Sequence, residues 1–286
     1  MTVELDPRYV IARRILLDAL VALSRHGDAL VVAGAQAVYL RTGEADLAVA
    51  PFTTDSDLAL NPGALGSDPL IEAAMRQAGF ALDVSRGHVE PGIWVRSVEI
   101  DGVEAVVPVD LIVPTGAAAP GGRRGARLGE HGNQAARKIT GLEAALFDHD
   151  TMTIAALEPG DDRVLAAKVA GTAALLVAKA YKLQERIDRG RQDRLDDKDA
   201  LDCLRLMQTS DPAEVGATLR ALQAEPVAAE VTSTAVGYLE QLFGRRGRPG
   251  IRMATDALRF AMPEERVAAI GTQYTAALVA EATSTG

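Results

Sequence analysis

The chain has 286 residues, 48% hydrophobic and 24% charged, which is ample apolar material for a buried core and excludes a disordered composition. Its formal net charge of −9 excludes a protein that coats nucleic acid through an extended positive face, while leaving room for a local basic patch. One cysteine, Cys203, rules out an internal disulfide, and His26, His88, His131 and His149 never fall at the paired spacings of a zinc site, so a reducing, cytoplasmic compartment is expected.

The start, Met1 to Arg8, has no basic segment followed by an apolar stretch. The longest apolar run, around Gly171 to Ala178, is too short to cross a bilayer, so no membrane role is expected. Pro7 to Arg25 carries Ile11, Ile15, Leu16, Leu20 and Leu23 at helical spacing, with Pro7 where a first turn tolerates it, and predicts an entry helix. Ala29 to Ala33 follows as a short buried strand ending at Gly34, then Ala35 to Leu40 as a brief helix closed by Gly43. After a loop containing Pro51, Ser56 to Leu60 reads as a second strand, stopped by the Asn61-Pro62-Gly63 turn.

Leu70 to Ala78 fits a helix. Phe80 to Ser85, Gly92 to Ile100 and Val103 to Val113 predict strands of one sheet, joined by Glu90-Pro91-Gly92 and Asp101-Gly102 turns, the last two strands forming a hairpin. Thr115 to Gly132, rich in glycine, proline and arginine, reads as a loop. Beyond about Arg163 the pattern turns helical: Ala173 to Arg189, Lys198 to Met207, Asp211 to Gln223, Val227 to Phe243 and Glu264 to Ala282. The expected architecture is an N-terminal α/β (α+β) domain over residues 1–160 with a small mixed sheet, followed by a mainly α-helical domain over residues 161–286.

Chemistry is carried by few residues. On a strand, Asp55 and Asp57 project from one face, where two repelling carboxylates suit hard cations; a solvated strand end with two turn-capping aspartates has the same pattern. Asp110 falls in the apolar run Val106 to Val113, and an inward charge there needs a metal or a partner such as Arg96. Gly34 stands where a strand turns into a helix, a geometry that offers backbone N–H groups to a triphosphate but also serves turns with no ligand.

Lys179 lies on an otherwise apolar helix, where its ammonium either snorkels to solvent or meets an anion, whether a triphosphate or Asp199 or Asp202. Those two aspartates share one helical face, placed to order Lys179, to help hold a base, or to pair with Arg205 or Lys198 on the surface. Two arginine clusters, one of Arg123, Arg124 and Arg127 with Arg137 and Lys138 nearby, the other of Arg245, Arg246, Arg248 and Arg252, suit RNA phosphates or simple solvation. At 4%, aromatic residues are too few for an obvious base-stacking platform.

Taken in order, Val32-Ala33-Gly34-Ala35-Gln36-Ala37, Thr54-Asp55-Ser56-Asp57-Leu58 and Val109-Asp110-Leu111-Ile112 resemble the nucleotidyltransferase superfamily that includes polymerase β, over residues 29 to 113. The stretch Leu175 to Lys182, followed by Lys198-Asp199-Ala200-Leu201-Asp202, resembles the lysine helix and Lys-Asp-x-x-Asp segment of the AbiEii/MenT-like toxins, extending the likeness over residues 8 to 210. The resemblance implies a nucleotidyltransferase fold with its active site in the cleft between the two domains. It implies that Asp55, Asp57 and Asp110 hold Mg²⁺, that Gly34, Ala35, Lys179, Lys182 and Asp202 bind an NTP, and that Lys179 and Asp199 join the catalytic set.

The acceptor so implied is the 3′ end of tRNA, reached through Arg123, Arg124, Arg127, Arg245, Arg246 and Arg248, and the role that of a toxin in a toxin–antitoxin or phage-defence pair with a cognate antitoxin partner. Two departures from the family stand out: Ala35 replaces a second glycine or a serine, and a long acidic-apolar loop runs from Gly43 to Pro51. Other expectations remain open at this point: transfer to a hydroxyl of a small molecule or a protein, or a lapsed enzyme that only binds nucleotide or a partner.

Overall fold

A computed structural model describes residues 5–43, 53–100, 102–190 and 197–284. The loop after Gly43 that contains Pro51, and Asp101 of the hairpin turn, lie outside the described residues. The chain divides into two compact units, neither a single run of sequence. The first comprises Met1–Ala37, Ala50–Ile139 and His149–Ala170, the second Val38–Val49, Thr140–Asp148 and Gly171–Gly286. A single cut at residue 160 does not describe this division, because residues 164–170 form a strand of the first unit and residues 140–148 belong to the second.

The first unit is built on a mixed sheet of eight strands, larger than the small sheet expected. In chain order these are β1 (Leu30–Ala33), β2 (Ser56–Leu60), β3 (Ala81–Leu82), β4 (Ile93–Ile100), β5 (Val103–Pro114), β6 (Arg137–Ile139), β7 (His149–Ala155) and β8 (Val164–Ala170). Across the sheet the order is β3-β4-β5-β2-β1-β8-β7, with β6 also pairing β5. All four residues of β1 are buried, as a continuous apolar run at the centre of a covered sheet requires. β1 runs antiparallel to β2 and parallel to β8, and β2 runs parallel to β5.

Helix α1 (Pro7–Ala22) opens with the Asp6 carboxylate accepting from the Arg8 amide at 2.8 Å and with Pro7 in its first turn, so the entry helix starts where expected. It ends three residues early and gives way to a 3₁₀ segment, Ser24–Ala29. Its buried Ile11, Ile15 and Leu16 lie on the face packed against β2, β4 and β5. Buried Arg13 donates to Gln36 Oε1 at 2.9 Å, to the Tyr9 hydroxyl at 2.9 Å and to the carbonyl of Ala155 at 3.2 Å, tying α1 to residues of two other elements. The helix after Gly34 is α2 (Gly34–Thr42), and α3 (Ile71–Gln77) follows β2.

Strands β6, β7 and β8 were not expected, and β3 is shorter than the predicted Phe80 to Ser85. The sequence Val164-Leu165-Ala166-Ala167-Lys168-Val169-Ala170 has alanine at helical frequency, yet long-range pairing with β1 and β7 makes it a strand. β7 is an edge strand with mostly polar or exposed residues, which carries no apolar signal. β6 is three residues long and emerges directly from the glycine-rich segment.

One edge of β5 is shared in succession. β4 pairs with it as far as Ile93 opposite Asp110, and β6 takes over at Ile112 opposite Arg137. Gly92 stands at the handover with φ +75°, its amide donating to the Gln134 carbonyl and its carbonyl accepting from the Leu111 amide, both at 2.8 Å. A Cβ on Gly92 would lie 2.6 Å from the Leu111 carbonyl oxygen and 2.8 Å from the Ala136 carbonyl carbon, both backbone atoms with little freedom to yield.

The second unit is helical: α4 (Thr172–Asp188), α5 (Asp197–Thr209), α6 (Pro212–Leu222), α7 (Ala229–Phe243), α8 (Pro249–Leu258) and α9 (Glu264–Ala282). The main packed pairs are α6 with α9, α5 with α8 and α4 with α7. Asp148 accepts from the Ala174 amide at 2.8 Å and so caps the first turn of α4. Helix α8 was missed because an arginine-rich turn runs into it; Pro249 begins it and Ile251, Ala254 and Leu258 are its buried face. No described helix is long and apolar enough to cross a membrane.

Gly92→Ala is expected to destabilise the protein by more than ~2 kcal/mol, since it combines a positive φ with collision against two strands. Gly87→Ala, at φ +78° with nothing within 4 Å of a new Cβ, is expected to cost only ~1 kcal/mol. Urea denaturation of both variants checks the contrast, and equal losses would remove Gly92 from this structural role.

Candidate functional site

Parallel pairing of β2 with β5 sets Asp57 directly opposite Asp110. Residues paired in register on neighbouring strands point to the same face, so the two carboxylates are adjacent by construction. Asp55 stands one residue ahead of β2, and its Oδ1 accepts from the Thr53 hydroxyl at 2.5 Å. Between them Ser56 is buried and its hydroxyl donates toward the Ala12 carbonyl of α1 at 3.4 Å, which leaves Asp57 on the opposite side of the strand.

Gly34 closes this arrangement. Antiparallel pairing of β1 with β2 places Ala33 opposite Asp57, so the next residue, the first of α2, passes directly over the aspartate. Gly34 has φ +64°, and a Cβ there would come within 2.8 Å of Asp57 Cγ and collide with its carboxylate. The glycine is thus required twice, by its backbone conformation and by the side chain packed on it. Ala35 is buried beside it at the start of α2.

Asp110 is 9% exposed and is bonded by Arg137 of β6, not by Arg96. Arg96 instead meets Asp18 of α1 at 2.6 Å, together with Arg163 at 2.6 Å. The Arg137 contact depends on Gly92, since only the handover from β4 to β6 brings residue 137 beside β5 at this level. Burial, and then the charge of Asp57, push the Asp110 carboxyl up to about 7; Arg137 pulls it down, and Asp55 pushes it up further. Arg137 therefore does not by itself return the Asp110 carboxyl to its ordinary range.

In charge and donor type, Asp57 and Asp110 with Asp55 suit a hard divalent cation such as Mg²⁺. Among the described residues no group of three or more His, Cys, Asp or Glu side chains is so arranged as to hold a metal ion, and Arg137 engages one Asp110 oxygen. Of the three expected ligands, Asp57 and Asp110 are paired across the strands and Asp55 stands one residue ahead of β2.

The remaining expected residues form a separate cluster in the second unit. Lys179 of α4 is 4% exposed and donates to Asp199 Oδ1 and Asp202 Oδ2 of α5, both at 2.6 Å. Arg186 reaches Asp199 Oδ2 at 2.6 Å and Lys182 its Oδ1 at 3.5 Å. Burial works against the Lys179 charge, but Asp199 and Asp202 outweigh it and hold the ammonium well above its ordinary range. Burial likewise opposes the Asp199 charge, and Lys179, Lys182 and Arg186 hold its carboxyl well below the usual carboxylate range.

Of the partners open to Lys179 in the sequence, the geometry supplies the two aspartates of its own unit. Neither aspartate is at the surface, and Arg205 is buried over the Tyr39 ring, 5.5 Å from its centroid. Removing one side of such a buried pair costs about 3–5 kcal/mol. Arg245, Arg246 and Arg248 occupy the turn between α7 and α8, where Arg246 meets Glu265 at 3.1 Å on the exposed surface. Arg123, Arg124 and Arg127 lie in the first unit, with Arg124 held by buried Glu90 at 3.0 Å. Arg137 and Glu90 carried no motif; their roles arise from pairing between segments distant in sequence.

Because the folded-state value of Asp110 lies above that of an unfolded aspartate near 3.8, the folded protein holds an extra proton between about pH 4 and pH 7. Its contribution therefore destabilises the metal-free protein progressively as pH rises through that window, by on the order of a few kcal/mol, and does not act below about pH 4. Asp110→Asn is expected to flatten this slope and to stabilise the metal-free protein at pH 8, read from thermal unfolding in EDTA. Identical pH profiles for the two proteins would show that the Asp110 carboxyl is not raised in the folded protein.

No protein-family model, no curated protein and no solved structure matches the chain. What the protein does has to be argued from its own side chains.

Proposed function

We propose that the chain is a Mg²⁺-dependent nucleotidyltransferase that moves NMP from an NTP to an acceptor hydroxyl. The observation that carries this is the in-register pair Asp57 and Asp110 on parallel strands, with Gly34 at the N-terminus of α2 packed on Asp57. Amide groups at that helix start are suited to the phosphates of the NTP, and the backbone contacts survive the presence of Ala35. Asp57 and Asp110, with Asp55, would hold Mg²⁺. The bound ion supplies charge neutralisation and in-line orientation at the α-phosphate.

Asp110, set beside Asp57 across the paired strands, would help orient and activate the attacking hydroxyl. A bond then forms between the acceptor oxygen and the α-phosphorus, the bond to the β-phosphate oxygen breaks, and pyrophosphate leaves. Lys179, with its charge balanced by Asp199 and Asp202, acts in this account by fixing α4 against α5. The nucleotidyltransferase fold, the tRNA 3′ end as acceptor, the toxin role and a cognate antitoxin are supported by the motif resemblance of residues 29 to 113 and 175 to 202 alone, and a cytoplasmic location by the single cysteine alone.

A second reading, a protein that binds nucleotide without turning it over, draws on Arg137, whose guanidinium sits on the carboxylate that catalysis needs. The two are separated by incubating the purified protein with each labelled NTP, Mg²⁺ and total tRNA. The expected result is labelled tRNA, reduced by at least about a hundredfold in Asp57→Asn. Metal-dependent NTP binding with no transfer would favour the second reading, and no transfer from any of the four NTPs to any RNA would sink the RNA acceptor.

A further inference from the structure

Apart from the carboxylates, the first unit contains a strongly basic cavity of about 860 Å³. Arg86, Arg123, Arg124 and Arg127 line it, with His88 and a single acid, Glu90, so four guanidinium groups face one carboxylate and leave an excess of three positive charges. This stands out on a chain whose formal net charge is −9. We propose that this cavity is a binding site for a compact polyphosphate anion, such as a triphosphate or a bisphosphorylated small molecule.

The cavity opens at the surface, where its arginine side chains are exposed, and it is held from beneath by a buried acid and by backbone pairing. Glu90 is 4% exposed and holds Arg124 at 3.0 Å, His88 Nε2 at 3.1 Å and Arg86 at 3.5 Å. The glycine-rich segment behind it is pinned to residues 136–138: the Ala126 amide donates to the Ala136 carbonyl at 2.9 Å and the Lys138 amide to the Arg124 carbonyl at 2.8 Å. Lys138 Nζ also donates to the carbonyls of Gly121 and Gly122 at 2.8 and 2.7 Å. Arg123 and Arg127 make no ion pair or side-chain hydrogen bond among the described residues, so their guanidinium donors face the cavity unspent. Arginine forks set around an open pocket are suited to phosphate oxygens.

Two features favour a compact ligand over a nucleic-acid strand. The volume is that of a small-molecule site. No Phe, Tyr or Trp lines it, so unstacked bases would find no platform, and the net negative charge of the chain disfavours an extended polyanion. The assignment does not rest on the transferase reading, because it requires neither Mg²⁺ nor Asp57.

The test is calorimetric titration of the full chain with inorganic tripolyphosphate in EDTA, for the wild type, Asp57→Asn and the double variant Arg123→Ala, Arg127→Ala. The expected result is saturable binding, equal in wild type and Asp57→Asn, and weakened at least about tenfold in the double variant. Circular dichroism confirms that the double variant is folded. Absence of saturable binding, or equal binding by the double variant, would overturn the site. Tighter binding of a single-stranded oligonucleotide of about twelve residues through the same two arginines would overturn the compact ligand in favour of a nucleic-acid backbone. Loss of binding in Asp57→Asn would place tripolyphosphate at the carboxylates and overturn the separate cavity.

Discussion

Parallel pairing of Ser56–Ala59 with Val109–Ile112 is the constraint on which the candidate site depends, because it sets two carboxylates side by side on a mostly buried sheet. A shift of either strand by one residue would turn one aspartate to the α1 side, where Ser56 now packs, and would separate the pair. Neighbouring features follow from holding that register. Gly34 has no side chain because Asp57 occupies the space, and Gly92 has none because β5 must pass from β4 to β6 beside it. Arg137 reaches Asp110 only as a result of that passage.

The two units treat buried charge in opposite ways. In the second, Lys179, Asp199, Asp202 and Arg186 form an ion cluster that holds the lysine charged and Asp199 ionised, a fixed arrangement that joins α4 to α5. In the first, burial, then Asp57 and Asp55, outweigh Arg137 and raise Asp110 to about 7. A buried carboxyl with a raised proton affinity costs stability when it ionises, and such groups cluster at functional sites. Under the proposed function, Asp110 and its neighbours are the reactive cluster and the Lys179 cluster is structural support.

Much of this was legible in the sequence where the signal is local. The strand-glycine-helix unit at residues 30–42, the Asp55-Ser56-Asp57 segment at the head of β2 and Asp110 within an apolar strand all stand where periodicity and turn chemistry put them. The misses are features set by distant pairing. Val164–Ala170 has a composition that suits a helix and becomes a strand because β1 and β7 flank it, which groups it with the first unit. For Asp110 the sequence leaves open a metal or an arginine such as Arg96; Arg96 meets Asp18, and a three-residue strand supplies Arg137 as the arginine. Lys179 showed that it needed an anion, but no local pattern distinguishes a triphosphate from two aspartates twenty and more residues away.

The central claim is that Asp57 and Asp110 form a divalent-cation site whose repulsion the ion relieves. Electron paramagnetic resonance of Mn²⁺, titrated into the protein with a non-hydrolysable nucleoside triphosphate, tests it without requiring an acceptor. The account predicts saturable Mn²⁺ binding that Mg²⁺ displaces and that Asp110→Asn abolishes. Binding that survives Asp110→Asn unchanged, or no saturable binding, would contradict it.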